Sequence, residues 1–334
     1  MFALSFTGPE RVELVDRRAP RIVDDADVIV RMTTTAIGPR DLARYAGYVP
    51  SSDTIPGAEF CGIVDEVGGD VSAIDLGDLV TVLGVFDVSE TAKERLGFGW
   101  NGLDGGQALF VRVPDANNSL IKVPTAAIEE RALLLGDTYG LGASAAAEAI
   151  EALRDDTSQV CVIGCDPYGA SALIALGASG TDGMIALDDE ERRLGLAHRL
   201  GRTTFNTSDK NVADAVRETT GGDGPGAVII GAGVDSSQVE LGLRLVQPGG
   251  TVVMTEPDLP GWQFPEFANE LGIKIRAAAP PSRADVSKAM LDLWGGTLEL
   301  GPLVSHVMPL IDAERGYAQL HTRERGAHKI LLKM

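Results

Sequence analysis

Histidine and cysteine are both scarce in this sequence, with four of the first (His198, His306, His321 and His328) and three of the second (Cys61, Cys161 and Cys165). No histidine pair shows metal-motif spacing and no cysteines cluster as ligand sets do, so no zinc site of standard type assembles from this inventory. An odd cysteine count without framework spacing speaks against a disulfide-stapled secreted domain. Cys161 and Cys165 lie in or just after an apolar stretch, where cysteine acts as a small apolar filler. No apolar run approaches the roughly 20 residues a membrane helix needs. The opening Met1-Phe2-Ala3-Leu4-Ser5-Phe6-Thr7 is too short and too soon polar for a signal peptide. A cytoplasmic protein without a membrane partner is expected. Clustered positive charge is missing too. The net charge of −19 excludes a nucleic-acid partner, since phosphate binding needs grouped Lys and Arg. That charge is spread along the chain, which fits a soluble, self-repelling surface or adaptation to high salt.

What is there is globular: 44% apolar and 23% charged residues over 334 positions, enough for two domains with a cleft between them. Residues 1 to about 125 read as short strands broken by Gly, Pro and Asp. Examples are Asp27–Met32, Gly62–Val67 and Leu109–Val113, a pattern of a small barrel or sandwich. Ala126 to Arg154 is rich in Ala, Leu and Glu and reads as helix. Four continuous apolar strands follow, Val160–Ile163, Met184–Leu187, Ala227–Ile230 and Thr251–Met254, alternating with amphipathic helices. Such runs belong to a parallel sheet covered on both faces, so this half is predicted to be doubly wound. A helix over about Ser282–Trp294 and a mixed tail suit a discontinuous first domain that the tail completes. The expected division is 1–137 with 279–334, and 138–278.

The first of those strands runs into Gly164-Cys165-Asp166-Pro167-Tyr168-Gly169 and then a helix. A glycine-rich turn there lets pyrophosphate oxygens approach backbone N–H groups at the positive helix end. Asp188 ends the next strand 24 residues after Gly164, the position of a ribose-binding acid that favours NAD over NADP. In the G-x-G-x-x-G pattern, however, Asp166 replaces the second glycine. A carboxylate there adds bulk and like charge, and it can cap the helix in the place of the phosphates. Two readings stay open: binding of NAD(H) through Gly164, Asp166, Tyr168, Gly169 and Asp188, or a fold that has lost it. Gly231 and Ala232, at the end of a later strand, would back the nicotinamide, because small residues permit close approach.

Five segments in order resemble the medium-chain dehydrogenase/reductase superfamily: Ile55–Gly68, Leu76–Val80, Asp104–Phe110, Pro248–Val253 and Ser305–Leu310. The resemblance implies a Rossmann doubly wound sheet plus a GroES-like β-barrel catalytic domain, and a homodimer through the Rossmann edge near Thr251–Pro257 and Ile273–Ala277. It also marks departures. Where zinc-dependent members carry a Cys and a relay hydroxyl, this chain has Gly38 and Arg40. Their His is Ala58, their third ligand position is Asp137, and Gly84–Trp100 replaces a four-cysteine lobe without any Cys. Both metals are therefore expected to be missing, and no residue is expected to ligate a metal. Gly38–Tyr48 resembles the zinc-free quinone and enoyl reductases, apart from Gly38 and a displaced Arg.

Without a metal, hydride transfer needs another electrophile. Arg40 is the first candidate, donating to a substrate oxygen or carboxylate; an ion pair with Asp41 or Glu59 is the bland alternative. Tyr45 or Tyr48 either supplies a proton or packs. Glu59 and Asp137 either share a proton as an acid/base pair or are held by Arg40 as a structural remnant. Phe98 and Trp100 either wall a pocket or pack in a core. The reading is a zinc-independent NAD(H)-linked oxidoreductase acting on a small carbonyl, alcohol or activated alkene. Its alternative is a relative with weakened dinucleotide binding that serves as a non-redox acid/base enzyme or a small-molecule binding protein.

Overall fold

A computed structural model describes residues 1–48, 53–87, 95–100, 102–153, 159–256 and 263–334. Part of the Gly84–Trp100 segment, Arg154 and Pro257 lie outside the described residues. The chain forms two units, Met1–Gly140 with Pro280–Met334, and Leu141–Ala279.

The first unit is built on a mainly antiparallel seven-stranded sheet around the long strand Val28–Ala36. The last strand, Ile330–Lys333, pairs with it antiparallel, Leu331 opposite Ala36. That pairing is why the tail belongs to this unit: the first sheet is incomplete without it. A buried cluster including Phe6, Tyr45, Tyr317, Ile330 and Leu332 fills one side. Burying such side chains stabilises each by about 1.5–3 kcal/mol before entropy is counted.

The stretch Ala126–Ala152 is not one helix. It runs as short 3₁₀ and α turns to Gly136, breaks at Asp137, and resumes as Thr138–Ala152. The break has a packing cause: a Cβ on Gly136 would lie 2.0 Å from the Val82 carbonyl oxygen, so the backbone passes hard against that strand. Helical propensity loses to this contact, and the break leaves Asp137 with a non-helical backbone (φ −138°, ψ −74°).

The second unit holds six parallel strands: β1 (Val160–Ile163), β2 (Ile185–Asp188), β3 (Thr203–Asn206), β4 (Ala227–Ile230), β5 (Thr251–Met254) and β6 (Lys274–Ala277). Their order is 3-2-1-4-5-6, the Rossmann order, with the switch point at β1 and β4. Both faces are covered. Val160 and Val162 point into one buried cluster, Cys161 and Ile163 into the other, and Cys165 joins the first, so the cysteines here are apolar filler. Strand β2 starts one residue later than the apolar run suggests and includes Asp188. Strand β3 is a half-exposed edge whose polar Thr203-Thr204-Phe205-Asn206 carries no apolar run to read.

Candidate functional site

Four charged residues meet in the first unit. Arg40 is the second residue of the helix Pro39–Tyr45, which begins where Asp41 Oδ2 accepts the Gly38 N–H at 3.0 Å. Its Nη1 donates to Asp137 Oδ1 at 2.9 Å. The Asp137 side chain is 6% exposed and that of Arg40 26%, so Arg40 is the more accessible half of this pair. The Trp100 ring covers one guanidinium face, with Arg40 Cζ 5.2 Å from the ring centroid. Phe98, in contrast, is fully buried against Phe60 and Phe86 and belongs to the core.

Glu59 stands just before the strand Phe60–Val67, its carbonyl accepting the Ala36 N–H at 3.0 Å. Its carboxylate is 1% exposed, takes the Thr138 N–H at 2.9 Å, and is ion-paired with Lys329. Lys329 is fully buried and precedes the tail strand Ile330–Lys333. Burial pushes the Glu59 carboxyl up, the Lys329 ammonium works against it, and nearby Asp137 adds to the rise. Arg40 therefore holds one of the two carboxylates, Asp137, and Lys329 the other, Glu59. Sequence reasoning missed Lys329, because a lone lysine before an apolar strand reads as surface charge.

Tyr48 stays outside this cluster, 81% exposed. Tyr45 is buried against Tyr317 and His321 as packing. The displaced arginine, Arg44, is buried too, donating to the Gly99 and Thr54 carbonyls and lying over Phe6.

In the second unit the turn after β1 leads to the helix Pro167–Ala178, and Asp166 is its cap. Asp166 Oδ1 accepts the Gly169 N–H at 3.1 Å and the Ala232 N–H at 3.0 Å, and Oδ2 accepts the Tyr168 N–H at 3.3 Å. Gly164 has φ +83°, and a Cβ on Gly231 would stand 2.3 Å from Asp166 Oδ1. Ala232 therefore serves to hold Asp166, and the Tyr168 ring is core, leaving only its N–H in the turn. Asp188 is 1% exposed; its Oδ2 accepts the Cys165 N–H at 2.6 Å and its Oδ1 the Glu190 N–H at 2.8 Å. Arg193 Nη1 lies 3.6 Å from Asp188 Oδ2. Burial raises both carboxyls, Asp166 to about 6, against the pull of Arg193.

Residues 24–125 match the alcohol dehydrogenase GroES-like domain. The chain is 30% identical to zinc-type alcohol dehydrogenase B of Aspergillus flavus, covering 95% of this chain and 78% of that protein. It is also 30% identical to a probable zinc-binding alcohol dehydrogenase of Mycobacterium tuberculosis, over 97% and 86%. Among solved structures, the alcohol dehydrogenase TADH of Thermus sp. ATN1 superposes with a TM-score of 0.90 at 28% identity, over 100% of this chain and 99% of that one. The chain belongs to the medium-chain dehydrogenase/reductase superfamily.

Within that superfamily the residues here do not fit a catalytic zinc ion. At the three positions that the resemblance assigns to metal ligands, the Gly38 and Ala58 side chains offer no donor atom and the Asp137 carboxylate is engaged by Arg40. Among the described residues no group of three His, Cys, Asp or Glu is placed to hold a metal. A dinucleotide fits the second unit better. The strand order, the left-handed Gly164, the converging N–H groups and the acid ending β2 are all in place, though the N–H groups carry Asp166 as their acceptor. Among the described residues no helix is long and apolar enough to cross a membrane.

Proposed function

We propose that this chain is a zinc-independent, NAD(H)-linked oxidoreductase acting on a small carbonyl, alcohol or activated alkene. The observation that carries it is the Arg40–Asp137 pair at the superfamily's metal position, joined to a Rossmann sheet whose second strand ends in Asp188. The relatives' names as alcohol dehydrogenases support the redox class. When bound, the nicotinamide supplies or takes the hydride. Arg40 donates to the substrate oxygen on which charge develops, in place of a Lewis acid. Asp137 fixes the direction of the guanidinium and Trp100 restricts its face. Asp188 would hold the adenosine ribose of the bound dinucleotide, which would favour NAD over NADP. The chain forms a homodimer through the β6 edge, a strand paired on one side only among the described residues.

Turnover of small aldehydes, ketones, enones and alcohols, followed by nicotinamide absorbance after exhaustive chelation, tests this reading. Chelated enzyme should keep its rate, and Arg40→Gln should lower kcat by about 10²–10³-fold, the worth of one oxyanion donor. A rate lost with the metal would sink zinc independence. No turnover across the panel with either NADH or NADPH would sink the redox reading. One observation favours a second reading, weakened dinucleotide binding in a non-redox relative: the Asp166 carboxylate already sits on the phosphate-binding N–H groups.

A further inference from the structure

The N–H groups of Tyr168, Gly169 and Ala232 converge from two chain segments on one point, and that point is occupied by a carboxylate of the same chain. Asp166 is 4% exposed, and its Oδ1 lies so close to Gly231 that a single added carbon would collide with it. A phosphate oxygen seeking the same donors meets both a filled seat and a like charge. We propose that Asp166 holds the pyrophosphate seat with its own carboxylate, so that a dinucleotide binds only when that group is neutralised or swung out. Asp166 is then the residue that sets cofactor affinity in this chain, a proposal that rests on the dinucleotide reading above.

The charged and titratable neighbours are few. Arg193, from the helix after β2, lowers the Asp166 carboxyl but is shared with Asp188 and lies 3.2 Å from Glu190. Its Nε faces Glu190 Oε2 and its Nη1 faces Asp188 Oδ2, so this one cation is divided among the carboxylates around it. The Cys165 thiol, also close, is held well above its ordinary range by burial and by both aspartates. Asp188 titrates in the same direction as Asp166. With Asp166 pushed up to about 6, the neutral form is half-populated near pH 6 and about 1% populated at pH 8.

Equilibrium titration with NADH, read by its fluorescence, tests the proposal at pH 6 to 8 on wild type, Asp166→Asn and Asp166→Ser. The serine variant keeps a helix-capping oxygen should the asparagine variant fail to fold. Wild type should bind about fiftyfold more weakly at pH 8 than at pH 6, since apparent affinity scales with the competent fraction. The neutral variants should bind about a hundredfold more tightly than wild type at pH 8, with no pH slope. NADH binding that is equally tight in wild type and variants overturns the proposal and leaves the dinucleotide reading standing. A pH slope that persists in the variants overturns it in favour of Asp188. No binding by any of the three proteins at any pH overturns both readings together.

Discussion

Lys329→Met should be the most damaging single change in the first unit. Lys329 is fully buried and Glu59 is 1% exposed, so removing the ammonium leaves a carboxylate with the Thr138 N–H at 2.9 Å but without its cation. Breaking a buried pair from one side costs about 3–5 kcal/mol, because the remaining charge is desolvated and uncompensated. For a unit of this size each kcal/mol moves the melting temperature by about 2–4 °C, so a fall of about 6–20 °C is expected. Glu59→Gln alone should cost a similar amount by stranding the ammonium. The double variant should recover most of the loss, since two neutral side chains of similar volume need no ion pair. Thermal unfolding of wild type, both singles and the double, followed by circular dichroism, gives the coupling directly. A fall of less than about 3 °C for Lys329→Met, or a double variant as unstable as the sum of the singles, would refute the buried-pair reasoning.

Two further outcomes follow from the same physics. Burial alone would raise the Asp27 carboxyl, but the N–H groups of Asp24 and Val23 and the Arg112 guanidinium outweigh it and hold it low. A depressed carboxyl contributes stability above its unfolded pKa of about 3.9 that is lost as pH falls, so Asp27→Asn should cost about 1 kcal/mol at pH 7 and progressively less below pH 4 in urea unfolding; a pH-independent deficit would count against it. Sedimentation equilibrium should give twice the 35.1 kDa chain mass if the β6 edge pairs with a second copy, and a single-chain mass would dismiss the dimer.

Much of the second unit was legible because its strands are short apolar runs that can only be central in a covered sheet. Val160–Ile163, Ala227–Ile230 and Thr251–Met254 appear with those same bounds. Asp166 as a possible helix cap was legible too, since an acid before Pro167 at a helix start can do little else locally. The edge strand Thr203–Asn206 was not, because an edge needs no apolar run, and the break at Asp137 was not, because only the Val82 carbonyl beside Gly136 imposes it.

The superfamily, the parallel sheet and the missing donor atoms at Gly38 and Ala58 could be read from the chain alone, since these depend on residue identity and local order. Which charges meet depends on long-range packing. Arg40 finds Asp137 across 97 positions and Lys329 finds Glu59 across 270. The tail strand beside Val28–Ala36 and the kink at Gly136 bring them there, and no periodicity records a contact made by strands so far apart in the chain. The same holds for Ala232, whose N–H reaches Asp166 only because β4 lies beside β1.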